Sequence, residues 1–158
     1  MKEILLARID DRLIHGQVVA KWAKKIPFDH IYIVDDDVVN DTFICQLMKS
    51  IAPKNLTIVI LDVDDAAASL TSDAGPDEKI CIITKLPQVF ERLLDAGVPI
   101  KEVMLGGMGN KSGRTPLIRS VSASPEERAS LKRLIGAGVR VFYQDVPDTK
   151  PTDLLKKL

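Results

Sequence analysis

The sequence predicts an α/β fold in three layers, in which a mainly parallel, doubly wound sheet of about seven strands carries helices on both faces. Short apolar runs alternate along the chain with segments of helical periodicity, as in βαβ units with right-handed crossovers. The apolar runs lack polar alternation, which is typical of parallel strands buried on both faces. The chain has 158 residues, which suits one domain, and we expect that domain to span residues 1–158.

Seven short apolar runs are the predicted strands. In chain order they cover residues 4–7, 31–34, 56–61, 80–84, 102–105, 118–121 and 139–143. The second run stops at three aspartates and the fifth at two glycines. Such residues are typical of the loops that follow strands, so these positions are expected at one edge of the sheet.

Helical periodicity fills most of the gaps between the strands. The predicted helices cover residues 16–25, 41–51, 63–70, 87–96, 124–135 and, as a last short helix, 152–158. Pro87 near the start of the fourth helix and Gly97 just past its end follow the preferences of helix termini. At the start of the fifth, Ser124 and Glu127 have the spacing of a capping box.

The composition excludes several classes of protein. Hydrophobic residues make up 46% of the chain, enough for a core, and the 22 basic and 22 acidic side chains cancel. Because the chain lacks a net positive charge and has only 4% aromatic residues, nucleic acid is not an expected partner. We find no signal peptide and no apolar run of bilayer length, so we expect a cytoplasmic protein.

The connection between the first strand and the first helix holds the most unusual chemistry. Arg8, Asp10, Asp11, Arg12 and His15 lie within eight residues, at the sheet edge where open α/β folds bind ligands. A neutral histidine is a nucleophile that can accept a phosphoryl group on a ring nitrogen. The two arginines suit phosphate oxygens, and either aspartate suits the second ring N–H.

The start of the following helix is expected to supply further phosphate ligands. The backbone N–H groups of Gly16 and Gln17 have no acceptor within a helix that begins there, so they are free to bind phosphate oxygens. The positive end of the helix also favours the neutral form of His15. Because the arginines provide positive charge, no metal and no cofactor are expected in this site.

Other segments carry weaker signals. Asp36, Gly106 and Gly107 are secondary candidates for the same pocket, because each follows a predicted strand at the same edge of the sheet. Asp36 equally suits a helix cap or a Mg²⁺ ligand. The glycine-rich loop after the fifth strand suits backbone contacts to phosphate, with Lys111 or Arg114 meeting a partner.

Residue chemistry alone leaves several functions open. A phosphohydrolase with a phosphohistidine intermediate would use the same loop and turn over a phosphomonoester. A receiver-like signalling module would use Asp10, Asp11 and Lys85, although its phosphorylated aspartate is expected after the third strand, where Asp62 lies. A phosphate-binding α/β module without chemistry would need only the arginines and the helix N–H groups.

Six segments resemble, in order, blocks of the IIB subunits of the mannose/fructose/sorbose class of bacterial sugar phosphotransferase systems. The longest and most specific is ARIDDRLIHGQVVAKWAKK, which matches the family signature without departure. The others are VDDDVVND, KLPQVFERLLDAGV, VMLGGMGNKSGR, VSASPEERASLKRLIGAGV and YQDVP. Together the blocks cover most of the chain.

This resemblance implies site residues as well as a fold. The family fold is a mainly parallel sheet with helices on both faces, in agreement with the pattern above. By position in the motif, His15 would be phosphorylated, conventionally on Nδ1, by the histidine of a IIA protein. Arg8 and Arg12 would neutralise the phosphate, and Asp10 would orient the imidazole.

The resemblance also implies a reaction and partners. The phosphoryl group would pass to a hexose-type sugar while membrane IIC and IID subunits carry that sugar across. The chain would thus be the IIB component of a protein-Nπ-phosphohistidine–sugar phosphotransferase, associated with the inner face of the membrane. The sequence leaves open both a monomer and a homodimer.

Overall fold

The computed structural model describes all 158 residues. Its strands are β1 (Lys2–Asp10), β2 (His30–Val34), β3 (Thr57–Leu61), β4 (Glu78–Thr84), β5 (Glu102–Gly107), β6 (Thr115–Ile118), β7 (Val121–Ala123), β8 (Arg140–Tyr143) and β9 (Thr152–Asp153). Its helices are α1 (Gly16–Lys25), α2 (Thr42–Ile51), α3 (Val63–Leu70), α4 (Pro87–Asp95) and α5 (Pro125–Gly136). None of these helices combines the length and the apolar character needed to cross a bilayer.

Seven strands form one sheet in the order β3-β2-β4-β1-β5-β8-β9. All neighbouring pairs are parallel except the last, in which β9 runs antiparallel to β8. β1 lies in the middle of the sheet, between β4 and β5, and its last five residues are buried. The structure therefore confirms the predicted fold class.

Alternate side chains of the inner strands enter two separate cores on opposite faces of the sheet. On β2, Ile31 and Ile33 join one core, whereas Tyr32 and Val34 join the other. Helices α1 and α2 cover the first core, and α3, α4 and α5 cover the second. Each fully buried aliphatic side chain contributes about 1.5–3 kcal/mol, so burial on both faces explains why the strand sequences are continuously apolar.

The topology places a switch point at the carboxyl ends of β1 and β5. From β1 the chain passes through α1 to β2, on one side of the sheet, whereas from β5 it passes through α5 to β8, on the other. Open α/β sheets bind ligands where the connections from two adjacent parallel strands leave in opposite directions along the sheet. The predicted site segment, which follows β1, lies at this switch point.

Two predicted elements were wrong. The apolar run 118–121 is not a strand of the main sheet, because a two-residue turn at Arg119 and Ser120 splits it into the hairpin β6–β7. Residues 152–158 do not form a helix, because Thr152 and Asp153 pair with the edge of β8 and a turn follows them. The main sheet still has seven strands, because β9 belongs to it and the run 118–121 does not.

The five other helices begin and end within two residues of their predicted limits. The predicted capping box is present at α5: the Glu127 N–H donates to Ser124 Oγ at 3.1 Å, and the Ser124 N–H donates to Glu127 Oε1 at 2.8 Å. Two boundaries differ in a way that matters for function. β5 extends from the predicted run 102–105 to Gly107, so Gly106 and Gly107 are strand residues rather than part of the loop that follows. β1 extends from the predicted run 4–7 to Asp10, so Arg8 and Asp10 are strand residues.

Candidate active site

A tight turn between β1 and α1 gathers the predicted site residues. Asp10 ends β1, and His15 immediately precedes α1. The N–H of Leu13 donates to the Asp10 carbonyl at 3.0 Å, and Leu13 has a φ of 59°. A leucine rarely adopts this left-handed conformation, so contacts from the surrounding structure must hold the turn.

The Asp10 carboxylate is the centre of the site. It is only 1% exposed, and it accepts from the Arg12 backbone N–H at 3.1 Å and from Arg12 Nε and Nη2 at 2.9 and 2.8 Å. Arg8 Nη2 donates to the same carboxylate at 3.3 Å. Burial alone would raise the pKa of Asp10, but the Arg12 hydrogen bonds and the charges of both arginines outweigh it and lower that pKa.

The Arg8 side chain is buried and makes its hydrogen bonds within the protein. Its side chain is 3% exposed, and its two terminal nitrogens donate to the carbonyls of Gln144 and Asp145 at 2.9 and 3.1 Å, as well as to Asp10. A guanidinium with these partners has little capacity left for a phosphate. In the structure, Arg8 holds Asp10 and the residues after β8, and its role as a phosphate ligand stays a prediction.

Arg12 differs from Arg8 in its access to solvent. Its side chain is 47% exposed, although it makes the shorter hydrogen bonds to Asp10. The planar guanidinium fork that binds a carboxylate in this way binds phosphate oxygens equally well. Of the two predicted phosphate ligands, Arg12 is the one that the structure leaves able to reach an incoming group.

The two ring nitrogens of His15 have different surroundings. Nε2 lies 3.6 Å from Asp10 Oδ2, and it is buried without a hydrogen-bond partner, whereas Nδ1 is not buried. Partial burial, followed by the positive charge of Arg12, lowers the pKa of His15 below its ordinary value, although Asp10 acts in the opposite direction. The imidazole is therefore neutral, and hence nucleophilic, at pH 7.

This lowered pKa leads to a testable expectation. Because the neutral ring persists to lower pH than in an ordinary histidine, the NMR titration midpoint of His15 should lie below 6.5. Because the unfolded chain would bind the proton first, protonation of His15 also reduces the stability of the fold as pH falls below 6.5. In an Arg12→Met variant the midpoint should rise, since one source of the shift is removed.

The matched control for this titration is Lys21→Met, which removes an exposed positive charge from α1. Lys21 is not among the groups that shift the pKa of His15, so its loss should leave the midpoint unchanged. A wild-type midpoint at or above 6.5, or equal shifts in both variants, would contradict the assignment.

The backbone around His15 provides free hydrogen-bond donors, and two glycines of β5 leave room for the arginine side chains. The N–H groups of Gly16 and Gln17 have no acceptor within the chain, and both residues are exposed. On β5, a Cβ at Gly106 would overlap the Arg8 guanidinium, and a Cβ at Gly107 would lie 3.1 Å from Arg12 Nη2. These two glycines therefore form the wall against which the arginines pack.

Comparison with known proteins identifies the family. The family described as "PTS system sorbose subfamily IIB component", where PTS is the phosphotransferase system, matches residues 4–158. The chain belongs to this family. The IIB chain is 34% identical to the sorbose-specific EIIB component of Lacticaseibacillus casei, over 98% of this chain and 94% of that protein.

Two further similarities extend this result. The mannose-specific EIIAB component of Escherichia coli (strain K12) is 33% identical over 97% of this chain, which corresponds to 48% of that longer protein. The crystal structure of the IIBSor domain of the sorbose permease from Klebsiella pneumoniae superposes with a TM-score of 0.94 and 31% identity, over 98% of this chain and 95% of that one. This IIB component is a sugar phosphotransferase subunit of the sorbose/mannose class.

Asp36 does not join the site of the IIB chain. Its carboxylate accepts from the Val63 N–H at 2.9 Å and from Arg92 Nη1 at 2.7 Å, so it ties the end of β2 to α3 and α4. Its neighbour Asp35 caps a short 3₁₀ turn, Val38–Asn40, by accepting from the backbone N–H groups of Asp37 and Val38. No group of three or more His, Cys, Asp or Glu side chains has the arrangement of a metal site.

The structure also adds residues that sequence reasoning missed. Gln144 and Asp145 hold Arg8 through their carbonyls, and the Trp22 indole N–H donates to the same Asp145 carbonyl at 3.0 Å. The YQDVP block signalled this segment, but its contribution is made by backbone atoms, which residue types do not reveal. The prediction that Arg114 meets a partner is wrong, because its side chain is only 1% exposed.

Proposed function

We propose that this IIB component accepts a phosphoryl group on Nδ1 of His15 from a IIA protein and transfers it to a hexose-type sugar. The unequal environment of the two ring nitrogens carries this proposal. Nε2 is buried and faces Asp10 at 3.6 Å, whereas Nδ1 is not buried. A proton on Nε2 would face a carboxylate, which leaves the lone pair of Nδ1 for the phosphorus atom.

In the acceptance step, the Nδ1 lone pair forms a bond to phosphorus while the bond to the donor's histidine nitrogen breaks on the opposite side. Because both nitrogens are imidazole nitrogens, the protein contributes mainly positioning and stabilisation of charge. The ring gains positive charge as the new bond forms, and the nearby Asp10 carboxylate stabilises that charge. The Nε2 proton stays on the ring.

Arg12 is the side chain that changes partner in this scheme. It is 47% exposed, whereas Arg8 is 3% exposed, so only Arg12 is free to turn from Asp10 to the phosphate oxygens. Arg8 then remains with Asp10, whose carboxylate closes the 3.6 Å separation from the imidazole. The free N–H groups at the start of α1 bind the remaining oxygens.

Transfer to the sugar exchanges the same kind of bond. A sugar hydroxyl oxygen forms a bond to phosphorus, the bond from phosphorus to Nδ1 breaks, and the hydroxyl proton is released to solvent. The sugar is presented by membrane IIC and IID subunits, so the chain acts in the cytoplasm at the inner face of the membrane. The match to about half of a mannose-specific EIIAB component supports a IIA donor, since that name joins an A part to a B part.

The test is phosphorylation by a relay of phosphoenolpyruvate, enzyme I, the histidine carrier protein and a IIA protein. Intact mass, measured without acid, should increase by one phosphoryl group in the wild type and not at all in His15→Gln. The chain has two histidines, so His30→Gln is the matched control and should be labelled like the wild type.

Each alternative predicts a different result, in this assay or in a phosphatase assay. Equal labelling of wild type and His15→Gln would remove His15 from the mechanism and direct attention to the carboxylates. No labelling of the wild type by a IIA that phosphorylates another IIB would contradict the carrier role. Steady release of phosphate from a phosphomonoester would identify a hydrolase instead.

A further inference from the structure

A buried arginine connects the loop after β5 to the turn that carries His15. Arg114 lies at the end of that loop with its side chain 1% exposed. Its Nε and Nη2 donate to the two carboxylate oxygens of Glu127 at 2.9 and 2.8 Å. Its Nη1 donates to the Gly109 carbonyl at 2.9 Å and to Asp11 Oδ2 at 3.3 Å.

Asp11 is the other end of this connection. Its carboxylate accepts from the Gly109 N–H at 2.7 Å as well as from Arg114, and its own N–H donates to the Gly107 carbonyl at 3.0 Å. Asp11 is thus attached to the end of β5 through its backbone and to the loop after β5 through its side chain. It stands between Asp10 and Arg12 in the chain, and both of those residues belong to the site.

The connection ends on a rigid anchor. Glu127 is the capping-box residue of α5, and its Oε1 also accepts from the Ser124 N–H at 2.8 Å. The link therefore runs from the first turn of α5, through the Arg114 guanidinium, to Asp11. Each contact is charge-assisted and directional, and the Arg114–Glu127 pair is bidentate, so the link fixes orientation as well as distance.

Stability alone gives a weak reason for this arrangement. Removing charges from water costs much of what their attraction returns, so a buried ion pair adds little to stability compared with apolar packing. The turn that Asp11 serves contains Leu13 at a φ of 59°, a conformation that its surroundings must impose. The link provides such a constraint at the position where Arg12 and His15 are presented.

We propose that Asp11 and Arg114 are positioning residues, which hold the turn after β1 so that Arg12 and His15 face the incoming phosphoryl group. This inference rests on the proposed function of His15 and extends it to residues that touch neither the imidazole nor its Asp10 partner. Asp11 acts through its chain neighbours, and Arg114 acts through Asp11. The loop after β5 is thereby the support of the nucleophile's turn rather than a phosphate ligand.

The test compares single-turnover phosphorylation in Asp11→Asn, Arg114→Met and the double variant. At saturating phospho-IIA, each single variant should react about tenfold more slowly or worse, because small misplacements of a nucleophile have effects of this size. The IIA concentration for half-maximal rate should change little, since the donor is not bound by this link. The double variant should be no slower than the slower single variant, because both break the same connection.

A second readout needs no donor. The titration midpoint of His15 should move in both single variants, because the turn relaxes around the ring. Neither Asp11 nor Arg114 is among the main causes of the shift in the pKa of His15, so a clearly moved midpoint reports altered geometry. If the wild type is not phosphorylated at all, the proposed function fails, and the titration still decides whether the link positions His15.

The matched control is Arg128→Met. Arg128 donates to Thr115 and Pro116 of the neighbouring hairpin β6–β7 without contacting Asp11. In this variant the phosphorylation rate should therefore stay within twofold of the wild-type rate, and the titration midpoint of His15 should be unchanged. Should Arg114→Met fail to fold, Asp11→Asn, whose side chain is 29% exposed, carries the test. An unchanged saturating rate and an unchanged midpoint in folded Asp11→Asn would overturn the proposal.

Discussion

Replacing Asp10 with Asn is expected to lower the free energy of unfolding by about 3–5 kcal/mol, the usual effect of removing one partner of a buried ion pair. The carboxylate is 1% exposed and lies between the guanidinium groups of Arg8 and Arg12. Without it, Arg8 stays buried with two carbonyls and the more distant Asp145 carboxylate, 3.8 Å away, as its partners. Denaturant unfolding at neutral pH measures this loss.

The same variant should be phosphorylated on His15 at least a hundredfold more slowly, because an amide offers no negative charge to the ring that becomes positive. The matched control is Asp36→Asn. The Asp36–Arg92 pair is half exposed, so its loss should cost no more than about 1 kcal/mol and leave the phosphorylation rate unchanged. An Asp10→Asn protein as stable and as reactive as Asp36→Asn would show that the carboxylate is dispensable.

The sequence was sufficient to predict the central layer of this protein, for a physical reason. A strand buried on both faces has no polar face, so β2 and β4 stand out as apolar runs of strand length. Helix termini add local signals, and the Ser124–Glu127 capping box is formed as predicted. These elements are encoded by neighbouring residues, and neighbouring residues are what a pattern records.

The predictions for residues 118–121 and 152–158 were wrong because the local sequence does not distinguish the structures that these segments form from the predicted ones. Ile118 and Val121 are apolar like strand residues, but they face each other across a two-residue turn. Thr152 and Asp153 become a strand only because the free edge of β8 pairs with them. In both cases the deciding contact comes from another part of the chain or from the turn geometry, and no periodicity reports it.

The site shows the same division between residue types and their placement. The motif points to an arginine, aspartate and histidine cluster, but the types leave open which of two adjacent aspartates faces the imidazole. The backbone decides this: the Asp10 side chain turns to Arg12 and His15, whereas Asp11 accepts from Gly109 and Arg114. Likewise, two arginines of the same type differ in role because one is buried and the other is not.

Gly106 supplies the second large effect. A Cβ at this position would lie 2.5 Å from Arg8 Nε and closer still to Nη2 and Cζ. Arg8 cannot yield easily, because both of its terminal nitrogens are held by Asp10 and by the carbonyls after β8. We expect Gly106→Ala to lower the free energy of unfolding by about 1–3 kcal/mol through overpacking and to slow phosphorylation of His15 at least tenfold, because the displaced guanidinium moves Asp10.

The comparison that isolates this effect is Gly136→Ala, in α5. No atom lies within 4 Å of a Cβ built there, and alanine favours helix over glycine by up to about 1 kcal/mol, so this variant should be slightly stabilised and fully active. If Gly106→Ala lowers the free energy of unfolding and Gly136→Ala raises it, the effect at Gly106 comes from the contact with Arg8 and not from the added methyl group itself. If the two variants are equally stable and equally reactive, Arg8 moves without consequence, and Asp10 does not depend on it for its position.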